Sequence, residues 1–148
     1  MRTKKSGFTL VEILIVVVIL GILAAIVIPQ FTDAASQANE SALASNLQAV
    51  RGQIELYKIQ HNDNLPTLTI TEAMTNKTYA DGTIGDGNGS YGRYMREIPV
   101  NPFNNLNDVV EAATTPAAAT NGTGWFFNTT DGDFLANDLI NGEHHWGQ

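Results

Sequence analysis

Hydrophobic positions in this chain are concentrated in one uninterrupted run near the amino terminus. The run extends from Phe8 to Ile28, twenty-one residues among which only Glu12 is charged. A helix of that length, with a rise of 1.5 Å per residue, is about 30 Å long, which matches the hydrocarbon core of a bilayer. A single segment in lipid must satisfy all of its backbone hydrogen bonds internally, so the run predicts a membrane-spanning α-helix.

Basic residues lie on only one side of this run. Arg2, Lys4 and Lys5 precede it, and the next basic residue after it is Arg51. Because positively charged flanks tend to stay in the cytoplasm, the pattern predicts a single-pass topology with a cytoplasmic amino terminus. Everything beyond Pro29 is then expected outside the cytoplasm.

Helical periodicity continues beyond Pro29. Apolar residues recur at three- and four-residue steps as far as Tyr57, and polar residues fill the other side. Asn, Asp and Pro accumulate between His61 and Pro66, where we expect the helix to end. Residues 30–61 are therefore predicted to form an amphipathic continuation of the first helix.

The size of the apolar side chains changes along this continuation. Small residues dominate from Phe31 to Ala42, which favours close packing against other helices, and larger ones follow from Leu43 to Tyr57. The larger side chains are expected to pack on a globular head formed by residues 62–148. That head can bury only a modest core by itself, so the helix should supply part of it.

Short elements are predicted within the head. Leu68 to Met74 indicates a short helix capped by Thr71. Runs of aromatic and β-branched residues bounded by turn residues indicate strands. These strand candidates are residues 94–100, 124–129 and 133–136.

Composition and charge exclude several classes of function. The net charge is −7, and without residues 1–7 five basic residues face fifteen acidic ones, a balance of −10 that argues against nonspecific nucleic-acid binding. The chain has no cysteine, so no disulfide can stabilise an exported head. It also has no GxSxG or HExxH motif, and histidine is confined to His61, His144 and His145. We therefore do not expect an enzyme.

Glu12 is the exception within the apolar run. A carboxylate inside a spanning helix costs about 2.5–3.5 kcal/mol, which suggests a functional residue with a partner. The alternative is that Glu12 lies near the lipid headgroups and reaches water. Its context is specific, because Lys4-Lys5-Ser6-Gly7 followed by Phe8-Thr9-Leu10-Val11-Glu12 resembles the cleavage site of type IV prepilins and type II secretion pseudopilins.

The resemblance implies a processing event at the amino terminus. Residues 1–7 would be a leader, cleaved between Gly7 and Phe8 by a membrane aspartyl peptidase that also N-methylates Phe8. Cleavage creates an ammonium group on Phe8, and in this family that group is thought to meet the Glu12-type carboxylate of a neighbouring subunit. Pairing in a low dielectric would reduce the penalty on both charges. The alternative is a secretory signal cut near Ala25.

The resemblance also implies a fold class and an assembly. The fold would be α+β, with residues 8–29 as transmembrane and filament-core helix, and with the second half of the helix packed on a small antiparallel sheet. The subunit would wait in the inner membrane, in contact with lipid, before an ATP-driven assembly platform lifts it into a helical filament of identical copies in the periplasm or outside the cell. Two alternatives stay open: the major pseudopilin of a type II secretion system, and a monomeric membrane-anchored binding module.

Gly21 and Pro29 fall where many members of that family carry a glycine and a proline. Proline in a helix interior removes a backbone donor and costs about 3 kcal/mol. One interpretation is that Pro29 ends the membrane helix and a separate segment follows. The other is that the segment from Gly21 to Pro29 melts when the subunit enters a filament, and the resemblance favours it.

A hard cation is the only cofactor that the sequence suggests. The glycine-rich segment from Asp81 to Ser90 has several oxygen donors, although a flexible exposed loop is the favoured explanation of it. Major pseudopilins bind calcium in a loop of the head, so the resemblance makes Asp131 and Asp133 candidate ligands. The alternative is that these two residues belong to a hairpin turn between Asn128 and Asp133.

Overall fold

A computed structural model describes residues 7–85, 87–115, 119–140 and 143–144 of the chain. The chain divides into two compact units, here called the stem unit (Met1–Ala38) and the head unit (Asn39–Gln148). The predicted leader lies outside the described residues except for Gly7.

The first helix, α1, extends from Leu10 to Gln60 without interruption. Pro29 lies inside it, so the interpretation in which Pro29 ends the helix is wrong. One missing N–H group does not stop a helix whose neighbouring residues continue the hydrogen-bond pattern. The predicted end near His61 is confirmed, because Asn62 and Asp63 adopt positive φ angles of 55° and 64° immediately after the last turn.

The core of the head unit lies between the second half of α1 and the elements that follow it. The helix contributes larger apolar residues at helical spacing, as predicted: Leu43, Leu47, Val50, Ile54 and Tyr57 are each at most 3% exposed. A short second helix, α2 (Ile70–Thr75), and aromatic residues of the sheet complete the cluster. The buried core side chains outside α1 include Ile70, Met74, Ile98, Trp125, Phe127 and Phe134.

Three strands form the main sheet, in the order β1-β2-β3: β1 (Val109–Ala112), β2 (Trp125–Asn128) and β3 (Phe134–Ala136). The β2–β3 pair is antiparallel, and both strands were predicted. The β1–β2 pair is parallel, with Val109 opposite Trp125. The α+β layout is therefore confirmed, but the sheet is mixed and not wholly antiparallel, because a crossover returns the chain in the same direction.

A two-stranded antiparallel ribbon follows the main sheet. It consists of β4 (Leu139–Ile140) and β5 (Glu143–His144), with Leu139 opposite His144. No strand was predicted for these four residues.

Two local predictions in the head were wrong. Residues 94–100 form no strand, since the N–H groups of Tyr94 and Met95 donate to the carbonyl of Met74 at the end of α2 and not to a strand. The cap of α2 is Thr69, not Thr71: the Thr69 hydroxyl accepts from the N–H of Glu72 at 3.3 Å.

Candidate functional site

At the start of α1 the exposed carboxylate of Glu12 takes part in a local hydrogen-bond network with Thr9. Oε2 of Glu12 accepts from the Thr9 N–H and from the Thr9 hydroxyl, both at 2.8 Å. The Glu12 N–H in turn donates to Oγ1 of Thr9 at 3.3 Å. This reciprocal arrangement is a capping box, in which side chains satisfy donors that the first helical turn leaves open.

Thr9 is therefore a site residue that the sequence analysis missed. The signal was present, since a Thr three residues before a Glu at the start of an apolar run is the sequence pattern of a capping box. In the unprocessed chain the Glu12 carboxylate has local donors. Its predicted partner is the Phe8 amine, which would exist only after cleavage between Gly7 and Phe8.

The apolar surface of the stem unit has no partner within the chain. Its large hydrophobic side chains from Phe8 to Phe31 are between 41% and 84% exposed. α1 contains an apolar window long enough to cross a membrane by length and composition, and none of that window is buried. Such an extent of exposed apolar surface marks a membrane or protein interaction site.

Gly21 and Pro29 both lie within this exposed part of α1. A Cβ atom added at Gly21 would meet no heavy atom within 4 Å, so neighbouring groups do not require a glycine there. Beyond Pro29, the Thr32 hydroxyl donates to the carbonyl of Ile28 at 3.2 Å. The role of Gly21 and Pro29 in helix melting stays a prediction.

Asp131 and Asp133 lie in the turn between β2 and β3. Oδ2 of Asp131 accepts from the side-chain amide of Asn128 at 3.1 Å, and the Asn128 N–H donates to the carbonyl of Asp133 at 2.8 Å. Oδ1 of Asn128 accepts from the N–H of Thr130 at 2.8 Å, and Gly132 supplies a φ of 83°. These contacts are those of a hairpin turn.

The turn does not by itself fit a calcium ion. Calcium takes six to eight oxygen ligands, and two carboxylates supply only part of such a set. Within the part of the chain that the structure describes, no three His, Cys, Asp or Glu residues are grouped so that they could hold a metal. Calcium binding through Asp131 and Asp133 stays a prediction.

The loop between α2 and β1, residues 76–108 and here called the connecting loop, is fastened to the end of α1 by buried His61. Nδ1 of His61 lies 2.8 Å from the carbonyl of Tyr57, which can only accept, so Nδ1 carries the proton. Nε2 then accepts from the hydroxyl of Thr78 at 3.0 Å. The imidazole also stacks on the ring of Tyr57, with centroids 3.8 Å apart.

Titratable groups around this anchor are shifted by their surroundings. Burial raises the pKa of Tyr57 and that of Tyr94, whose hydroxyl donates to Oε1 of Gln60 at 2.7 Å. Hydrogen bonds from the hydroxyl and N–H of Thr83 lower the pKa of Asp81. These bonds fix Asp81 in a turn of the connecting loop.

Comparison with known proteins agrees with this arrangement. The family described as "Prokaryotic N-terminal methylation motif" matches residues 2–28. The chain is 36% identical to the type II secretion system core protein G of Pseudomonas aeruginosa, over 70% of this chain and 72% of that protein. It is 32% identical to the core protein G of Aeromonas hydrophila, over 70% and 71%.

A fimbrial protein of Pseudomonas aeruginosa is also similar, at 33% identity over 60% of this chain and 57% of that protein. No solved structure matches the chain. An exposed apolar helix with a methylation motif at its start and an α+β head defines a pilin-like protein. The chain belongs to the family of type IV pilins and type II secretion pseudopilins.

Proposed function

We propose that this protein is the structural subunit of a pilus-like helical filament. The observation that carries the proposal is the stem unit: a long apolar helix surface, exposed on all sides within one chain, with a single carboxylate at its start. Identical helices packed together in a filament would cover that surface and give Glu12 a partner. Before assembly, the inner membrane would cover the same surface.

Processing prepares the subunit for this assembly. A prepilin peptidase cleaves after Gly7 and methylates Phe8, which places a positive charge four residues before Glu12. An ammonium on one subunit and the Glu12 carboxylate on its neighbour then form a pair that sets the register between stacked subunits. The match to the methylation motif over residues 2–28 supports this step.

A place in a type II secretion system is the more specific form of the proposal. The chain covers 72% and 71% of the core protein G relatives of Pseudomonas aeruginosa and Aeromonas hydrophila, whereas it covers 57% of the fimbrial protein. We therefore favour a periplasmic pseudopilus over a long surface pilus. In that case the subunit would be assembled by the inner-membrane platform of the secretion system, and its filament would act on the proteins that the system exports.

The decisive experiment combines processing and assembly. Intact mass of the protein from sheared filaments should correspond to a chain that starts at N-methylated Phe8. Glu12→Leu should insert into the membrane at least as well as the wild type, because it removes a penalty of about 2.5–3.5 kcal/mol, yet form few filaments. Glu12→Gln keeps an acceptor for the Thr9 cap and removes only the charge, so it should fail in the same way.

Two results would contradict the proposal. Normal filament yield from Glu12→Leu would remove the charge pairing from the mechanism. A chain that still begins at Met1, or that is cut near Ala25, and that stays monomeric in detergent would favour the membrane-anchored binding module.

A further inference from the structure

A cavity of about 330 Å³ is lined by the end of α1 and by the segments that follow it in the head unit. It is here called the Tyr57 cavity, and its lining includes Tyr57 of α1, Leu65 and Thr67 before α2, and Asp81 and Gly82 of the connecting loop. Its volume lies at the small end of the range for ligand pockets, so it suits a small molecule.

The hydroxyl of Tyr57 is a buried polar group that makes no hydrogen bond among the residues that the structure describes, although Tyr57 is only 1% exposed. Burial, and then the neighbouring Tyr94 and Asp81, raise the pKa of Tyr57, so the hydroxyl keeps its proton. A Cβ atom added at Gly82 would lie 3.0 Å from this hydroxyl and 3.3 Å from Oγ1 of Thr67. A buried polar group without a partner costs free energy, which a ligand that bonds to it would recover.

Asp81 gives the Tyr57 cavity a negative charge. Its Oδ1 accepts from the hydroxyl of Thr83 at 2.7 Å and from the N–H of Thr83 at 3.0 Å. Both bonds lower the pKa of Asp81, so its carboxylate is ionised at neutral pH. Neither lysine nor arginine is among the described residues that line the cavity. The cavity therefore favours a cation over an anion.

The donor set favours an organic cation over a metal ion. Calcium takes six to eight oxygen ligands, and the described residues contain no group of three His, Cys, Asp or Glu that could hold a metal. An ammonium group has three N–H donors, which match the Asp81 carboxylate and the hydroxyls of Tyr57 and Thr67. Leu65 adds an apolar wall against which a methylene chain can pack.

We propose that the Tyr57 cavity binds a small primary alkylammonium compound, with Asp81 as its counter-ion. The ammonium group donates to the Asp81 carboxylate and to the oxygens of Tyr57 and Thr67, and the alkyl chain lies against Leu65. This site goes beyond the proposed function and does not depend on filament formation. Because Tyr57 belongs to α1 and Asp81 to the connecting loop, the bound ligand joins the two segments and stabilises the folded head by mass action.

Calorimetric titration of the full chain in detergent with 1,4-diaminobutane tests the site. The diamine should bind saturably, with one molecule per chain. The diol 1,4-butanediol has neutral hydroxyls in place of the ammonium groups and should bind at least about tenfold more weakly, a difference of about 1.4 kcal/mol. Constant ionic strength keeps nonspecific attraction to the acidic chain the same in both titrations. Equal affinity for the two compounds, or no saturable binding of the diamine, would overturn the proposal.

Two conservative substitutions test the assigned contacts. Asp81→Asn removes the charge but keeps an acceptor for Thr83, so it should weaken diamine binding about tenfold. Tyr57→Phe keeps the ring and removes only the hydroxyl, so it should weaken binding several-fold. Asp108→Asn is the matched control, because it changes the charge of the connecting loop equally at a residue that does not line the cavity. Unchanged affinity in Asp81→Asn, or an equal loss in Asp108→Asn, would contradict the assignment.

A pair of glycine substitutions tests the position of the site independently. Gly82 and Gly87 have φ angles of 84° and 88°, so alanine is strained to a similar degree at either position. Only at Gly82 does the added Cβ approach the hydroxyls of the cavity, since at Gly87 it meets no atom within 4 Å. Gly82→Ala should therefore abolish diamine binding and Gly87→Ala should retain it, with the near-ultraviolet signal of buried Trp125 unchanged in both. Full affinity in a folded Gly82→Ala variant would place the diamine elsewhere and overturn the proposal.

Discussion

The two units of this chain share one helix but have opposite surfaces. In the stem unit every large apolar side chain is exposed, whereas in the head unit one side of the same helix, from Leu43 to Tyr57, is buried in a closed cluster. Leu20 is 58% exposed, whereas Leu47, twenty-seven residues further along α1, is 0% exposed. The head unit therefore contains its own folding partner, and the stem unit needs lipid or other subunits.

The largest expected effect is on the free energy of unfolding. It is tested by making the same Leu-to-Ala substitution once in each unit. Leu47→Ala should lower the free energy of unfolding of the head by about 2–5 kcal/mol, because it leaves a cavity in the core. Leu20→Ala should change it by less than about 0.5 kcal/mol, since its side chain has no partner within the chain. Thermal unfolding of the full chain in detergent, followed by the near-ultraviolet signal of buried Trp125, measures both. Equal losses from the two variants would contradict the division.

The next comparison concerns the helix backbone. Pro29→Ala should stabilise the helix of the stem unit by about 3 kcal/mol and Gly21→Ala by about 1 kcal/mol, because the replacements are better helix formers. If the segment between them melts on assembly, both variants should slow amide exchange there and reduce filament yield. Gly52→Ala is the matched control in the head unit, where an added Cβ also meets no atom within 4 Å. Unchanged assembly by Pro29→Ala would remove melting from the mechanism.

Local pattern was sufficient to predict much of the head. The bounds of α1 followed from apolar periodicity and the turn residues after Gln60, and β2 and β3 followed from their aromatic residues on either side of a turn. β1 was missed because Val109 to Ala112 is short and its parallel partner lies beyond a crossover, so the pairing has no local signal. The chain segments that lead into β1 and β2 also pack closely, which only the three-dimensional structure reveals: a Cβ atom on Gly124, just before β2, would collide with the carbonyl of Leu106, three residues before β1.

The candidate site divides in the same way. The lone carboxylate Glu12 and the cleavage motif were visible in the sequence, and the methylation-motif match covers both. The hydrogen bonds from Thr9 to Glu12 were local enough to predict but were overlooked. What Glu12 contacts after cleavage depends on a second subunit, which no pattern within one chain encodes.

The smallest expected change in the free energy of unfolding comes from removing a helix cap. The two units have similar caps, which can be compared. In both, the threonine hydroxyl lies 2.8 Å from the glutamate Oε2 and accepts the glutamate N–H at 3.3 Å: Thr9 with Glu12, and Thr69 with Glu72. Thr69→Ala should destabilise the head by about 1 kcal/mol, the usual cost of losing such a cap. Thr71→Ala, at the position where the cap was wrongly predicted, should be nearly neutral.

Thr9→Ala removes the same kind of cap from the stem unit and should leave unfolding of the head unchanged. It also frees the Glu12 carboxylate from its own helix end, so its effect should appear in assembly. If the cap competes with the amine of a neighbouring subunit, filament yield should rise; if it holds the carboxylate in position for that amine, yield should fall. A loss of head stability from Thr9→Ala equal to that from Thr69→Ala would show that the two units unfold together.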